Sequence, residues 1–169
     1  DSTVATITST TPQATTNINT ATSIVLNFSK SMNPTTLNTN NIRLQRTSDG
    51  SFVPLSFLSV TPDNQTVTFN QSSGVLAEMT EYRVLINQTA VIGSNGNAMG
   101  GDPDAVAVAF KTGDFTNPTA TAIPFGGGQS QSPAIVVTFS EAMNLSNLTP
   151  ANIILRVQNG SNISTTSIT

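Results

Sequence analysis

The chain has 169 residues, 37% of them hydrophobic and only 9% charged, with six Lys+Arg against nine Asp+Glu for a net charge of -3. It contains no His, Cys or Trp, which excludes Ser-His-Asp and Cys-His nucleophiles, His- or thiolate-ligated metals, disulfides and iron–sulfur clusters. Six scattered cations make no phosphate-tracking surface, and no apolar run approaches the roughly 20 residues of a membrane span, so neither nucleic acid nor membrane insertion is expected.

The elements predicted in chain order are short strands. Val4, Thr6 and Thr8 alternate with Ala5 and Ile7 and predict a first strand, ended by Thr11-Pro12. Ser23 to Phe28 predicts a strong strand with Ile24, Leu26 and Phe28 on one face, by the side-chain period of two. Asn33-Pro34-Thr35-Thr36-Leu37 reads as a turn or a single helical turn. Asn41 to Arg46 alternates again, with Ile42 and Leu44 inward. Ser48-Asp49-Gly50-Ser51 is a hairpin turn, since Asp-Gly supplies the positive φ that tight turns need. Phe52 to Val60 gives one or two strands broken at Pro54, and Thr61 to Asn64 is the next turn.

Thr66 to Phe69 predicts a further strand, as do Glu81 to Ile86 and Ala105 to Phe110. Residues 93–104 are rich in Gly and Asp and read as loop. About seven strands over about 110 residues match the size and spacing of an Ig-like β-sandwich, and no segment of helical period reaches helix length.

An internal repeat organises the chain. Ile24-Val25-Leu26-Asn27-Phe28-Ser29-Lys30-Ser31-Met32-Asn33 lies over Ile135-Val136-Val137-Thr138-Phe139-Ser140-Glu141-Ala142-Met143-Asn144. Leu37, Asn41, Ile42 and Leu44 continue onto Leu148, Asn152, Ile153 and Leu155, giving ten identities over residues 24–44. A period near 110 means tandem domains. The expected organisation is all-β: an Ig-like β-sandwich over 1–113, then the early strands only of a second over 114–169. A half-sandwich exposes an apolar face and open edges. Either the chain is an excerpt of a longer array, the favoured reading, or another segment completes the second sheet. For the latter, the Thr-rich Asp1–Thr16 is the candidate donor.

The run from Ile24 to Asn33 resembles the "ltFSkpMd" stretch of bacterial Ig-like domains of S-layer proteins, the SbsA-type Ig-like family. Asn41-Ile42-Arg43-Leu44 looks like that family's next strand. Leu76 to Val84 resembles its "L.pgT.Y.V" stretch, Gly93 to Met99 its "D.aGN.l" loop, and Phe110-Lys111-Thr112 its closing "F.t". Gly93 stands where the loop often opens with Asp, which removes any contact from that side chain. The resemblance implies a spacer or assembly module of S-layer subunits, adhesins or secreted hydrolases.

Candidate sites are few. Asp102, Asp104 and Asp114 are the best ion ligands, of the oxygen type calcium prefers; a calcium ion there would stiffen the handover between the two units. No Asp-x-Asp-x-Asp-Gly loop accompanies them. Tyr82 reads as a packing residue of the tyrosine-corner type rather than a binding aromatic. Met32 and Met143 are equivalent repeat positions and read as packing. Glu78 and Glu81 read as solvating a turn rather than as a glycosidase pair. Ser29-Lys30 is no catalytic dyad, because its repeat is Ser140-Glu141. Gly126-Gly127-Gly128 lacks the helix and Lys of a phosphate cradle. Asn-x-Ser/Thr sequons begin at Asn27, Asn64, Asn70, Asn87, Asn144, Asn147, Asn159 and Asn162, at a number so Ser- and Thr-rich a chain yields by chance; they are compatible with a glycan.

The expectation is a non-enzymatic, extracellular cell-surface module of a surface layer, stalk or filament. Its partners are copies of itself or neighbouring Ig-like modules. The alternatives are an adhesin or carbohydrate-binding module, disfavoured by one Tyr and no Trp, and an accessory spacer of a larger secreted hydrolase.

Overall fold

A computed structural model describes residues 2–124, 128, 134–157 and 159–163. The chain forms two compact units, Asp1–Phe115 and Thr116–Thr169. The described residues contain strands and two short 3-10 turns, and no α-helix.

Unit 1 has eight strands: β1 Ile7–Thr11, β2 Ile24–Phe28, β3 Ile42–Arg46, β4 Phe52–Val53, β5 Leu55–Val60, β6 Thr66–Gln71, β7 Glu81–Ile86 and β8 Ala105–Lys111. They form two four-stranded sheets, ordered β1-β2-β6-β5 and β4-β3-β7-β8, with every pair antiparallel. This is the Ig-type strand order with β4 added as an edge beside β3. Pro54 separates two strands that belong to different sheets, so a single residue carries the chain across the sandwich. Proline suits that place, since it cannot donate to a ladder. The hairpin before it turns on Gly50, at φ +71°.

The core follows the alternation. Ile24, Leu26 and Phe28 of β2 and Val67 and Phe69 of β6 face Ile42 and Leu44 of β3, Tyr82, Val84 and Ile86 of β7, and Val108 and Phe110 of β8. All of these are buried. Each such side chain contributes roughly 1.5–3 kcal/mol on leaving water.

The first strand, Ile7–Thr11, ends where expected, at Thr11-Pro12, but starts three residues later than Val4. Its inward residue is Ala5, just before it, which is 3% exposed. Past Pro12 the chain crosses to the other sheet. Lys111 N donates to Thr15 O, Ile18 N to Lys111 O and Gly113 N to Ile18 O, each at 3.0 Å. The segment read as a spare donor strand is therefore committed to both sheets of its own sandwich, and the donor reading of Asp1–Thr16 is corrected.

Unit 2 carries β9 Ala120–Ile123 paired with β10 Val136–Phe139, and β11 Leu155–Arg156 paired with β12 Asn162–Ile163. These repeat β1–β2 and β3–β4. Ile123 faces Val136 as Thr11 faces Val25, and Ala122 faces Val137 as Thr10 faces Leu26. The bulge between Ile7 and Ser9 has no counterpart in the β9–β10 ladder, which is one residue shorter for it. The loop after the second strand repeats bond for bond. Asn33 caps the turn Pro34–Thr36 by accepting from Thr35 N at 3.1 Å, and Asn144 caps Leu145–Asn147 by accepting from Ser146 N at 3.1 Å. Asn41 Nδ2 donates to Thr36 O at 2.9 Å, and Asn152 Nδ2 to Asn147 O at 2.8 Å.

Burial does not repeat. Ile24 is 0% exposed and Ile135 43%; Leu44 is 0% exposed and Leu155 36%. Among the described residues of unit 2, no strand takes the place of β6, β7 or β8.

One residue type at one repeat position should thus carry two different energies. Phe28→Ala is expected to cost about 3–5 kcal/mol in urea unfolding. Phe139→Ala, at the half-exposed equivalent, should leave the main transition within about 0.5 kcal/mol of wild type. Equal effects would show that unit 2 has a core of its own.

Candidate functional site

The polar chemistry of unit 1 concentrates at the corner between β6 and β7. Tyr82, the second residue of β7, is 1% exposed and packs its ring on Phe110 with centroids 5.7 Å apart. Its hydroxyl accepts the Ala77 N–H at 3.0 Å. A half-apolar ring with one hydroxyl is suited to this, as it fills the core and still satisfies a backbone donor at the rim. The tyrosine-corner reading holds.

Thr112, just past β8, ties the same corner down and is the one buried polar side chain among the described residues. Its Oγ1 donates toward Ala77 O at 2.7 Å and accepts from Thr80 N at 2.9 Å. Its own N–H donates to Thr80 O at 3.0 Å. Glu78 Oε1 accepts from Phe115 N at 3.1 Å, and Met79 N donates to Gly113 O at 3.2 Å. Between them Met79 holds φ +52°, a left-handed conformation that side chains other than Gly, Asn and Asp rarely adopt. The corner and the exit of unit 1 are one hydrogen-bonded assembly. Thr112 carries no pattern in the sequence beyond its place in the closing "F.t" stretch, so its role was not legible there.

The three aspartates do not meet. Asp102 Oδ1 accepts from Asp104 N at 2.8 Å, and Asp104 pairs with Arg43. Asp114 lies beyond the other end of β8. Seven extended residues at about 3.3 Å each keep it roughly 20 Å from Asp104, far outside the 2.3–2.6 Å reach of a calcium ligand. The fold therefore does not bring Asp102, Asp104 and Asp114 together around one calcium ion. Among the described residues no group of three or more His, Cys, Asp or Glu is placed to hold a metal ion.

The other candidates have structural partners. Ser29 Oγ accepts from Thr6 N at 3.0 Å, and its repeat Ser140 accepts from Thr119 N at 2.9 Å. The repeated serine is a clasp on the first strand pair, and Lys30 reaches Thr3. Met32 is fully buried, and Met143 is half-buried. Glu78 is bonded as above, while Glu81 sits on the solvent face of β7 opposite Lys111. Of the sequon asparagines, Asn27 donates to Ser9 Oγ at 2.9 Å, and Asn87 and Asn144 cap turns. Gly126 and Gly127 lie outside the described residues.

Two exposed carboxylates titrate low. Asp49 is drawn from 3.8 to about 2, first by the Ser51 hydroxyl at 2.7 Å, then by the Ser51 N–H at 3.0 Å, with Arg46 adding less. Asp63 is lowered chiefly by the Thr61 hydroxyl at 2.6 Å. Both belong to turns, so they position hairpins rather than act on a ligand.

The family model described as bacterial Ig-like domain matches residues 1–112. Among solved structures the chain is similar to domains 1–6 of the surface layer protein SbsC, at 14% identity and a TM-score of 0.50, over 72% of this chain and 15% of that one. It is similar also to the N-terminal part of the bacterial S-layer protein SbsC, at 14% identity and a TM-score of 0.50, over 71% of this chain and 26% of that one. At such identity the likeness is one of fold. No curated protein sequence matches the chain. Among the described residues, no helix is long and apolar enough to cross a membrane.

Tyr82→Phe is expected to lower stability by about 1–3 kcal/mol, because it leaves the Ala77 N–H unpaired. Thr112→Val should cost a similar amount, and the double variant less than the sum, since both secure one corner. Urea unfolding of the three variants checks this. Acid should act separately. A carboxylate lowered in the folded state stabilises above its unfolded pKa and loses that effect as pH falls through the folded one. Stability should therefore drop between about pH 4 and 2, and Asp49→Asn should flatten that drop.

Proposed function

The chain belongs to the bacterial Ig-like domain family, and on that footing we propose that it is a non-enzymatic structural module of an extracellular, cell-surface protein: a surface layer, stalk or filament. Its partners are further copies or neighbouring Ig-like modules. The observation that carries this reading is the recurrence in unit 2 of the strand order of the first half of unit 1, with the Asn-capped loop after its second strand. A protein that repeats its scaffold, with no cluster of reactive groups among its described residues, is built to span distance or to tile. SbsC, whose domains share the fold, is a surface layer protein. The polar side chains that do converge, at Tyr82 and Thr112, face backbone groups of the same unit.

We read residues 116–169 as the first half of a second module of the same kind. Its apolar positions match those that unit 1 buries under β6, β7 and β8. Grafting residues 54–113 after Ile163 supplies those strands. The graft should give a second cooperative unfolding transition and slow amide exchange in Val136–Phe139. Unchanged fast exchange there would remove the half-module reading.

The surface-module reading is tested on the protein isolated from its source, by native mass spectrometry and electron microscopy. An ordered lattice or fibre is the expected result. A monodisperse particle with a catalytic domain in the same polypeptide would replace that reading with an enzyme's accessory spacer.

A further inference from the structure

The two sheets of unit 1 have four edge strands, and three are guarded. Unpaired N–H and C=O groups on an edge recruit other strands unless the edge is short, bulged, covered or charged. β4 is two residues long and carries Arg43 over the Phe52 ring, 4.9 Å from its centroid. β8 is covered at one end by residues 15–18 and bulged opposite Val84–Leu85 at the other. β1 is bulged at Thr8 and stopped by Pro12.

β5 differs. It runs six residues, Leu55–Val60, and no strand among the described residues pairs with its outer side. From Ser51 to Pro62 the sequence holds no charged residue. Phe57 rests edge-on against core Phe69 yet is 51% exposed. The bulge between Phe57 and Ser59 leaves Leu58 unpaired and 57% exposed. Here the bulge adds an apolar side chain to the surface rather than blunting the edge.

We propose that β5 is a self-association edge, on which β5 of a second copy adds antiparallel across a two-fold axis. The two four-stranded sheets then become one of eight strands. A second copy fits because the strand has no charge with which to select a differently charged partner. Antiparallel addition to itself is isologous: each copy offers the same donors and acceptors, and Phe57 and Leu58 of one meet those of the other. The contact is small. Six residues of strand with two half-exposed apolar side chains fall short of the roughly 800 Å² per partner of stable dimers. The contact is accordingly weak between isolated chains and effective where many copies are already arrayed. The inference rests on the surface-module reading for that purpose and on β5 for its location.

The absence of cysteine makes a direct test available. Ser56→Cys and Ser59→Cys are made in the full chain, each on the exposed face of β5. Alone and mixed, they sample three antiparallel registers, and cross-strand Cα distances of about 4.5–5.5 Å permit a disulfide. Under mild oxidation, disulfide dimer should form roughly tenfold or more faster in at least one arm than in Thr39→Cys, an exposed loop control. Adding Leu58→Lys should return that rate to the control's. Amide exchange in β5 should also slow as concentration rises. Three arms no faster than the control, with β5 exchange independent of concentration, would overturn the proposal. If the native protein still forms a lattice, only the placement at β5 is lost. If it forms none, the surface-module reading is lost with it.

Discussion

An Ig-type sheet is stable only when its apolar face is covered by a second sheet. In unit 1 that condition is met around β2. Ile24, Leu26 and Phe28 share one buried core with Ile42, Leu44, Tyr82, Val84 and Phe110 of the facing sheet. The rest of the architecture serves this contact. Pro54 lets the chain change sheets at once, so that β5 and β6 widen the first sheet while β4 ends the second. Residues 15–18 draw the first segment across to β8. The corner held by Tyr82 and Thr112 fixes where β7 enters, and with it the height of every inward residue on that strand.

Unit 2 separates what is local in this design from what is not. The Asn144 cap, the Leu145–Asn147 turn, the Asn152 amide bond and the β9–β10 register all recur, although among the described residues of unit 2 no strand takes the place of β6, β7 or β8. Each needs only residues a short way along the chain, and an Asn side chain accepting a nearby N–H is a short-range device. Burial needs β6, β7 and β8, which lie further on in unit 1. Identical residues therefore have different surroundings in the two units: Ile24 is enclosed, and Ile135 meets solvent. The repeated asparagines and serine serve backbone geometry, and the repeated Ile, Phe, Met and Leu are core positions in unit 1 that stay partly or fully exposed among the described residues of unit 2.

Charge is distributed as sparingly as it is composed. The strands of the sheet β1-β2-β6-β5 hold no charged residue at all, while Arg43, Arg46, Arg83, Glu81 and Lys111 sit on the other sheet. Arg43 pairs with Asp104 and Arg46 with Asp49. Exposed pairs of this kind contribute little to stability, so the fold rests on apolar burial and backbone bonds. One consequence is an uncharged edge on β5. A surface of Thr, Ser and Asn keeps water through neutral hydrogen-bonding groups rather than charge.

The sequence by itself determined the strand class, the turns at Pro34 and Gly50, the inward sides of β2, β3 and β7, and the duplication. These are properties of neighbours two to four residues apart, or of a pattern compared with itself. It also determined the packing role of Tyr82, because a tyrosine opening a strand after a polar turn has a bond to make close by. Tertiary structure alone decided the rest. The first strand begins only at Ile7, with Ala5 buried ahead of it, and past Pro12 residues 15–18 bond to the other sheet. Asp104, at the head of the strand the sequence predicts over Ala105–Phe110, took its partner Arg43 from another strand. Thr112 became the buried tie of a corner over thirty residues away. Which edge stayed open was likewise fixed by pairing across the sandwich. Contacts distant in sequence leave no periodic trace in it.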